Sequence, residues 1–86
     1  MVQQSVVVQN KTGLHARPAS DLFKLCASYP CSVDIVSGGK TYSAKHIMGI
    51  LMAGITKGTE ITVQTEGEQE EEALEHIISF IANLKE

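Results

Sequence analysis

Apolar and polar positions along this chain follow two different periods, and the switches between them mark out its segments. "QSVVVQ" is continuous and β-branched and predicts a first strand from Val2 to Val8. "NKTGL" breaks it, since Asn10 and Gly13 are both comfortable at positive φ. From Ala16 the period becomes helical. Ala19, Leu22, Phe23, Cys26 and Ala27 recur on one side, with Asp21, Lys24 and Ser28 on the other. Pro18 sits in the first turn, where a missing N–H costs little, and Pro30 follows the helix stop.

"CSVDIVS" alternates, with Val33 and Ile35 on one face, and predicts a second strand. "GGK" reads as a tight hairpin turn into a short third strand, "KTYSA". "KHIMGILMAGI" predicts a short apolar helix. After a turn at Gly58, a fourth strand runs from Glu60 to Thr65, with Ile61 and Val63 facing one side. The last segment, Glu68 to Leu84, predicts a helix with an apolar stripe of Leu74, Ile77, Ile78, Ile81 and Leu84; Glu70, Glu71 and Glu72 complement its positive start. The order β-α-β-β-α-β-α predicts an α+β fold: a four-stranded antiparallel sheet with three helices on one face. Residues 1–86 are expected to form a single domain.

Composition narrows the function classes. An 86-residue chain with 43% apolar residues can build a core, but one of two packed layers at most. No apolar run approaches the roughly 20 residues needed to cross a bilayer. The start "MVQQSVVVQN" does not read as a secretory signal, so the cytoplasm is the expected location. At net charge −3, with Lys and Arg scattered singly, there is no basic stripe for nucleic acid. Four of the ten acidic residues lie in "EEEALE", a solvated helix start. Cys26 and Cys31 match neither a redox nor a zinc spacing, and read as reduced thiols. The histidines at 15, 46 and 76 show no spacing for a metal site.

The chemistry concentrates in "TGLHARPAS", residues 12 to 20. His15 falls where the first helix begins, as its N-cap or the immediate neighbour of that cap. Backbone N–H groups ahead of the first helical hydrogen bond, together with the aligned peptide dipoles, favour an anion there. An unprotonated imidazole nitrogen beside that site is a nucleophile. Arg17 can aim a bidentate fork at phosphate oxygens, with weaker support from Lys11, the Thr12 hydroxyl and the Ala16 position. Phosphoryl transfer needs mainly positioning and charge stabilisation, so His15 is expected to accept a phosphoryl group as phosphohistidine, with Arg17 assisting. Without a Walker loop or clustered acidic metal ligands, no nucleotide, metal or other cofactor is expected. The group should then come from one protein and leave to another, which describes a carrier rather than a self-sufficient enzyme. On spacing alone, a plain helix start with a solvated arginine fits the same string.

In the second helix Ile47, Met48, Ile50, Leu51 and Met52 point nearly all round, and so small a domain cannot bury them all. Ile50 is expected inside. Met48, Leu51 and Met52 lie together on another face with Ile47 adjoining, as a docking patch or as ordinary core.

The whole chain resembles the HPr family of phosphocarrier proteins of the bacterial sugar phosphotransferase system. "TGLHARPAS" matches the family's active-site segment, and "KHIMGILMAGITKGTEITV" matches its second helix and following strand. The resemblance implies an open-faced β-sandwich. It also implies that His15, through Nδ1, takes phosphate from enzyme I and passes it to EIIA domains of sugar transport systems, phosphoenolpyruvate being the ultimate donor. Partner contacts are implied for Ile47, Met48, Leu51 and Ser20, and a carrier serving many partners is expected to be monomeric.

One position departs from the family. In many Gram-positive members a regulatory serine stands where this chain has His46, so the resemblance does not carry serine-linked catabolite control over to this position. Ser43 is out of register for that role, and His46 at a helix start reads as a capping or solvated residue. "MVQQ" and "KTGL" also resemble the catabolite-repression HPr-like proteins of bacilli, which keep the serine and lack the histidine. This chain has the opposite pair, which places it with the carriers by chemistry. The alternative is a regulator that docks a LacI-type repressor without phosphotransfer. A small-ligand sensor would need a pocket that no residue cluster here suggests.

Overall fold

The computed structural model describes residues 1–84. Strand β1 (Val2–Val7) leads to helix α1 (Ala16–Ala27), then the β2 (Ser32–Ser37) and β3 (Lys40–Ser43) hairpin, α2 (Ile47–Met52), β4 (Glu60–Glu66) and α3 (Glu70–Ala82). The strands form one sheet in the order β1-β4-β2-β3, every neighbouring pair antiparallel. β4 therefore fills the gap between β1 and β2, and β1 and β3 form the edges.

Period-2 alternation decides which face of the sheet is covered. Val33 and Ile35 of β2, and Ile61, Val63 and Thr65 of β4, are buried under the helices. The other face is open and polar. On it Ser5 and Thr62 hydroxyls meet at 3.1 Å, and the Gln64 amide donates to Gln3 Oε1 at 2.9 Å, each across a directly opposed β1–β4 pair. Leu22 and Cys26 of α1, Ile50 of α2, and Ile77 and Ile81 of α3 complete one continuous core. Each fully buried aliphatic side chain there contributes roughly 1.5–3 kcal/mol.

Loop contacts fix how the helices sit. The Tyr29 hydroxyl hydrogen-bonds His76 Nδ1 at 2.8 Å, tying the end of α1 to α3. Lys45 Nζ donates to the Tyr29 carbonyl, tying the approach to α2 to the same turn. The described helices include none long and apolar enough to cross a membrane.

Several expected details change. Val8 lies outside β1 but is fully buried, with its N–H on the Thr59 carbonyl at 2.9 Å. Ala27 is exposed because the helix ends there and the chain turns, making Tyr29 the next buried side chain. α3 starts at Glu70, since Gln69 occupies the left-handed region at φ 65° as its N-cap. Asn10 does not adopt positive φ, and its presence has another cause.

Candidate functional site

The chain reaches α1 through a turn stitched to the segment between α2 and β4. The Gly13 N–H donates to the Asn10 carbonyl at 3.2 Å, closing the turn, and the Leu14 N–H donates to the Ile55 carbonyl at 3.1 Å. Gly13 sits at φ 63°, and a Cβ built on it would lie 2.3 Å from the Ile55 oxygen. Only glycine lets the two backbones approach this closely. Leu14 is buried, so the next side chain in the chain, His15, is directed from an anchored residue.

His15 is the N-cap of α1, with φ −97° and ψ −174°, which settles the choice between cap and neighbour. Its carbonyl accepts the Ala19 N–H at 2.8 Å, the first bond of the helix. Its side chain makes no capping hydrogen bond and is exposed. Serine, threonine and aspartate usually hold this position because their side chains satisfy the first-turn amides. Here the imidazole is spared that duty. The first turn contains no acidic residue, and Pro18 contributes no N–H, so the positive end of α1 is not neutralised from within that turn. Thr12, His15, Ala16, Arg17 and Pro18 line a shallow depression of about 200 Å³. Four of the five are the residues to which sequence reasoning gave the chemistry.

α2 stands beside this turn, packed on α1 and leading to Ile55. Gly49 lets α2 lie flat on the preceding segment, since a Cβ there would come within 2.3 Å of the Ser43 carbonyl. Ile50 is wholly buried beneath, as expected. Met48 and Met52 are 60% and 70% exposed and Leu51 is 37% exposed. Ile47 is half-buried and so is Ser20 on α1. An exposed apolar face with two methionines is therefore present, in place of an all-core helix. His46 is the N-cap of α2, exposed and without a capping side-chain bond. Ser43 lies on β3 with its hydroxyl accepting the Lys45 N–H at 3.2 Å.

The cysteines play no part in this surface. Both are buried and free, and burial pushes the Cys26 thiol up to about 12, well away from a thiolate at neutral pH. Two larger hollows lie along α3, about 360 Å³ beside Tyr29 and His76 and about 600 Å³ beside Val2 and Leu74. Size alone would have led away from His15; an imidazole and a guanidinium lining one depression, at a helix start with no acid in its first turn, lead to it. Sequence reasoning missed the buried Asn10 amide on the Gly13 carbonyl, two residues before His15. Its signal is a side-chain bond three residues along, which no periodicity reveals.

Residues 2–83 match the family model described as the PTS HPr component phosphorylation site. The HPr-like protein Crh of Bacillus subtilis (strain 168) is 41% identical over 81 residues, spanning 94% of this chain and 95% of that protein. The crystal structure of phosphocarrier protein HPr from Bacillus anthracis superposes with a TM-score of 0.90 at 41% identity, covering 93% of this chain and 95% of that one. A crystal structure of Bacillus subtilis Crh, described as a dimer with a swapping domain, gives a TM-score of 0.77 at 39% identity and covers 99% of this chain and 100% of that one.

Proposed function

This chain belongs to the HPr family of the phosphotransferase system, and on that premise we propose that it carries a phosphoryl group on His15 between enzyme I and EIIA domains. The observation that carries the reading is the N-cap imidazole, exposed and left without a capping bond at a helix start with no acid of its own. In the first step the lone pair of His15 Nδ1 attacks the phosphorus that enzyme I carries. A new N–P bond forms as the donor's bond to phosphorus breaks, and the electron pair leaves with the donor. Arg17 and the first-turn amides of Ala16 and Arg17 hold the equatorial oxygens as charge spreads over them. Thr12 adds a hydroxyl at the rim. The same groups serve the onward step, in which a nucleophile of the EIIA domain attacks phosphorus, the His15 N–P bond breaks and its electron pair returns to the His15 ring.

Docking falls to the neighbouring apolar face of Ile47, Met48 and Leu51, with Ser20 on α1. Methionine suits a surface that must fit several partners, because its side chain adapts its shape. The carrier works as a single chain in the cytoplasm, since each partner needs the same face uncovered. Sedimentation of the pure protein tests this, and a stable dimer covering α2 would contradict it.

Incubation with phosphoenolpyruvate and enzyme I is expected to give an acid-labile, alkali-stable phosphoprotein. No label on the wild-type chain would refute the carrier reading. A second reading follows from the 41% identity to Crh: a regulator that docks a LacI-type repressor through the Met48 face. It gains support only from a protein that binds such a repressor yet takes no phosphoryl group. The retained histidine favours the carrier.

A further inference from the structure

Among the described residues Asn10 and Thr65 are the buried polar side chains. Thr65 has a plain task, its hydroxyl donating to the Glu70 carbonyl at 2.8 Å where α3 begins. Asn10 is 5% exposed and serves no helix of its own. Its amide Nδ2 donates to the Gly13 carbonyl at 2.8 Å, while its own carbonyl accepts the Gly13 N–H at 3.2 Å. One residue thus holds both hydrogen-bonding groups of the glycine that packs against Ile55. The next amide, Leu14, is bound to the Ile55 carbonyl, and the residue after that is His15.

The alternatives at position 10 show why an amide is needed. Alanine would leave a buried carbonyl without its side-chain donor, which costs more than the bond itself contributes. Aspartate has nearly the same shape but would set a carboxylate oxygen against a carbonyl oxygen. Valine or leucine would meet the burial and forfeit the link.

We propose that Asn10 is a positioning residue for the phosphoryl-accepting histidine: its buried amide fixes the Gly13–Leu14 backbone against Ile55, and so sets where the His15 ring stands relative to the first-turn amides of α1. The kinetic part rests on the carrier reading above; the structural part does not. Positioning of this kind acts on the rate of transfer and not on partner affinity, because the docking side chains lie on α2 and, for Ser20, on α1 beyond its first turn.

Asn10→Ala and Asn10→Asp test it, with Thr65→Val as a comparator that removes the other buried polar link far along the chain. For both Asn10 variants the maximal rate of phosphoryl transfer from enzyme I should fall by about tenfold or more, with KM changing less than about twofold. Exchange of the Leu14 amide with deuterium in the unphosphorylated protein should quicken by about tenfold beyond any change at Leu22 or Ile61. Thr65→Val should alter neither readout. Transfer at the wild-type rate in both Asn10 variants, or an equal slowing in Thr65→Val, would overturn the proposal. If the wild type accepts no phosphoryl group, the carrier reading falls, and Leu14 exchange decides alone: faster exchange sustains the anchoring role and unchanged exchange removes it.

Discussion

The first turn of α3 carries three carboxylates, and the first turn of α1 carries none. Glu70, Glu71 and Glu72 fill the first turn of α3, the Gly67 N–H donates to Glu70 Oε1 at 2.9 Å, and the Thr65 hydroxyl braces the Glu70 carbonyl. The Glu70 carboxyl is held below its ordinary range, chiefly by that Gly67 N–H. In α1 the corresponding turn reads Ala16-Arg17-Pro18, and the N-cap side chain faces outward without a bond. Both helices have the same positive end. One has carboxylates in its own first turn; in the proposed function the other receives the phosphoryl group there, next to His15. On the proposed function, α1 forgoes the roughly 0.3–1 kcal/mol that a first-turn carboxylate contributes.

The contrast breaks most completely at His15. His15→Ala should abolish acid-labile labelling, while thermal unfolding barely shifts because the exposed side chain makes no capping bond. Labelling at the wild-type level would move the phosphoryl group elsewhere. Next in size is Ala16→Glu, which gives α1 the kind of first turn that α3 has. Thermal stability should rise by about 0.3–1 kcal/mol as transfer slows by about tenfold or more, since a resident carboxylate repels the incoming phosphoryl group. A stabilised variant with unimpaired transfer would show that the two helix starts differ only by chance. Arg17→Ala should slow transfer by several-fold to about tenfold with little effect on unfolding; equal rates would remove its role.

Met48→Asp tests the neighbouring face, and should raise KM for enzyme I by roughly tenfold with the maximal rate unchanged. The smallest effect is expected at the other helix. A carboxyl whose folded pKa is depressed contributes stability above its unfolded pKa, and loses that contribution as pH falls through the folded value. Glu70→Gln should therefore lower the unfolding temperature slightly at pH 7, with the deficit shrinking toward acid pH. Transfer from His15 should not change.

Much of this was legible in the chain. The change from a continuous β-branched run to a helical period at Ala16 located α1, and Val33, Ile35, Ile61 and Val63 marked the covered face of the sheet. His15 at the helix start was readable because Pro18 and Gly13 bracket the boundary. The exposed face of α2 followed from having more apolar residues than one short helix can bury. Contacts distant in sequence were not readable. Asn10 looked like a turn residue chosen for its backbone, whereas its buried amide holds Gly13 three residues on. Thr65 looked like the end of a strand, whereas it is buried beside Ile61 and Val63 and supports α3. The pairing of Leu14 with Ile55 joins segments more than 40 residues apart, and only folding reveals that the histidine turn and α2 are one structural unit.

NMR of the protein before and after phosphorylation is the most direct measurement. Coupling should place phosphorus on His15 Nδ1, and the Ala16 and Arg17 amide protons should move downfield and exchange more slowly. The Gly67 amide at the start of α3 should stay where it was. Phosphorus on His15 with unmoved Ala16 and Arg17 amides, or phosphorus on another residue, would contradict the claim that the open end of α1 receives the phosphoryl group.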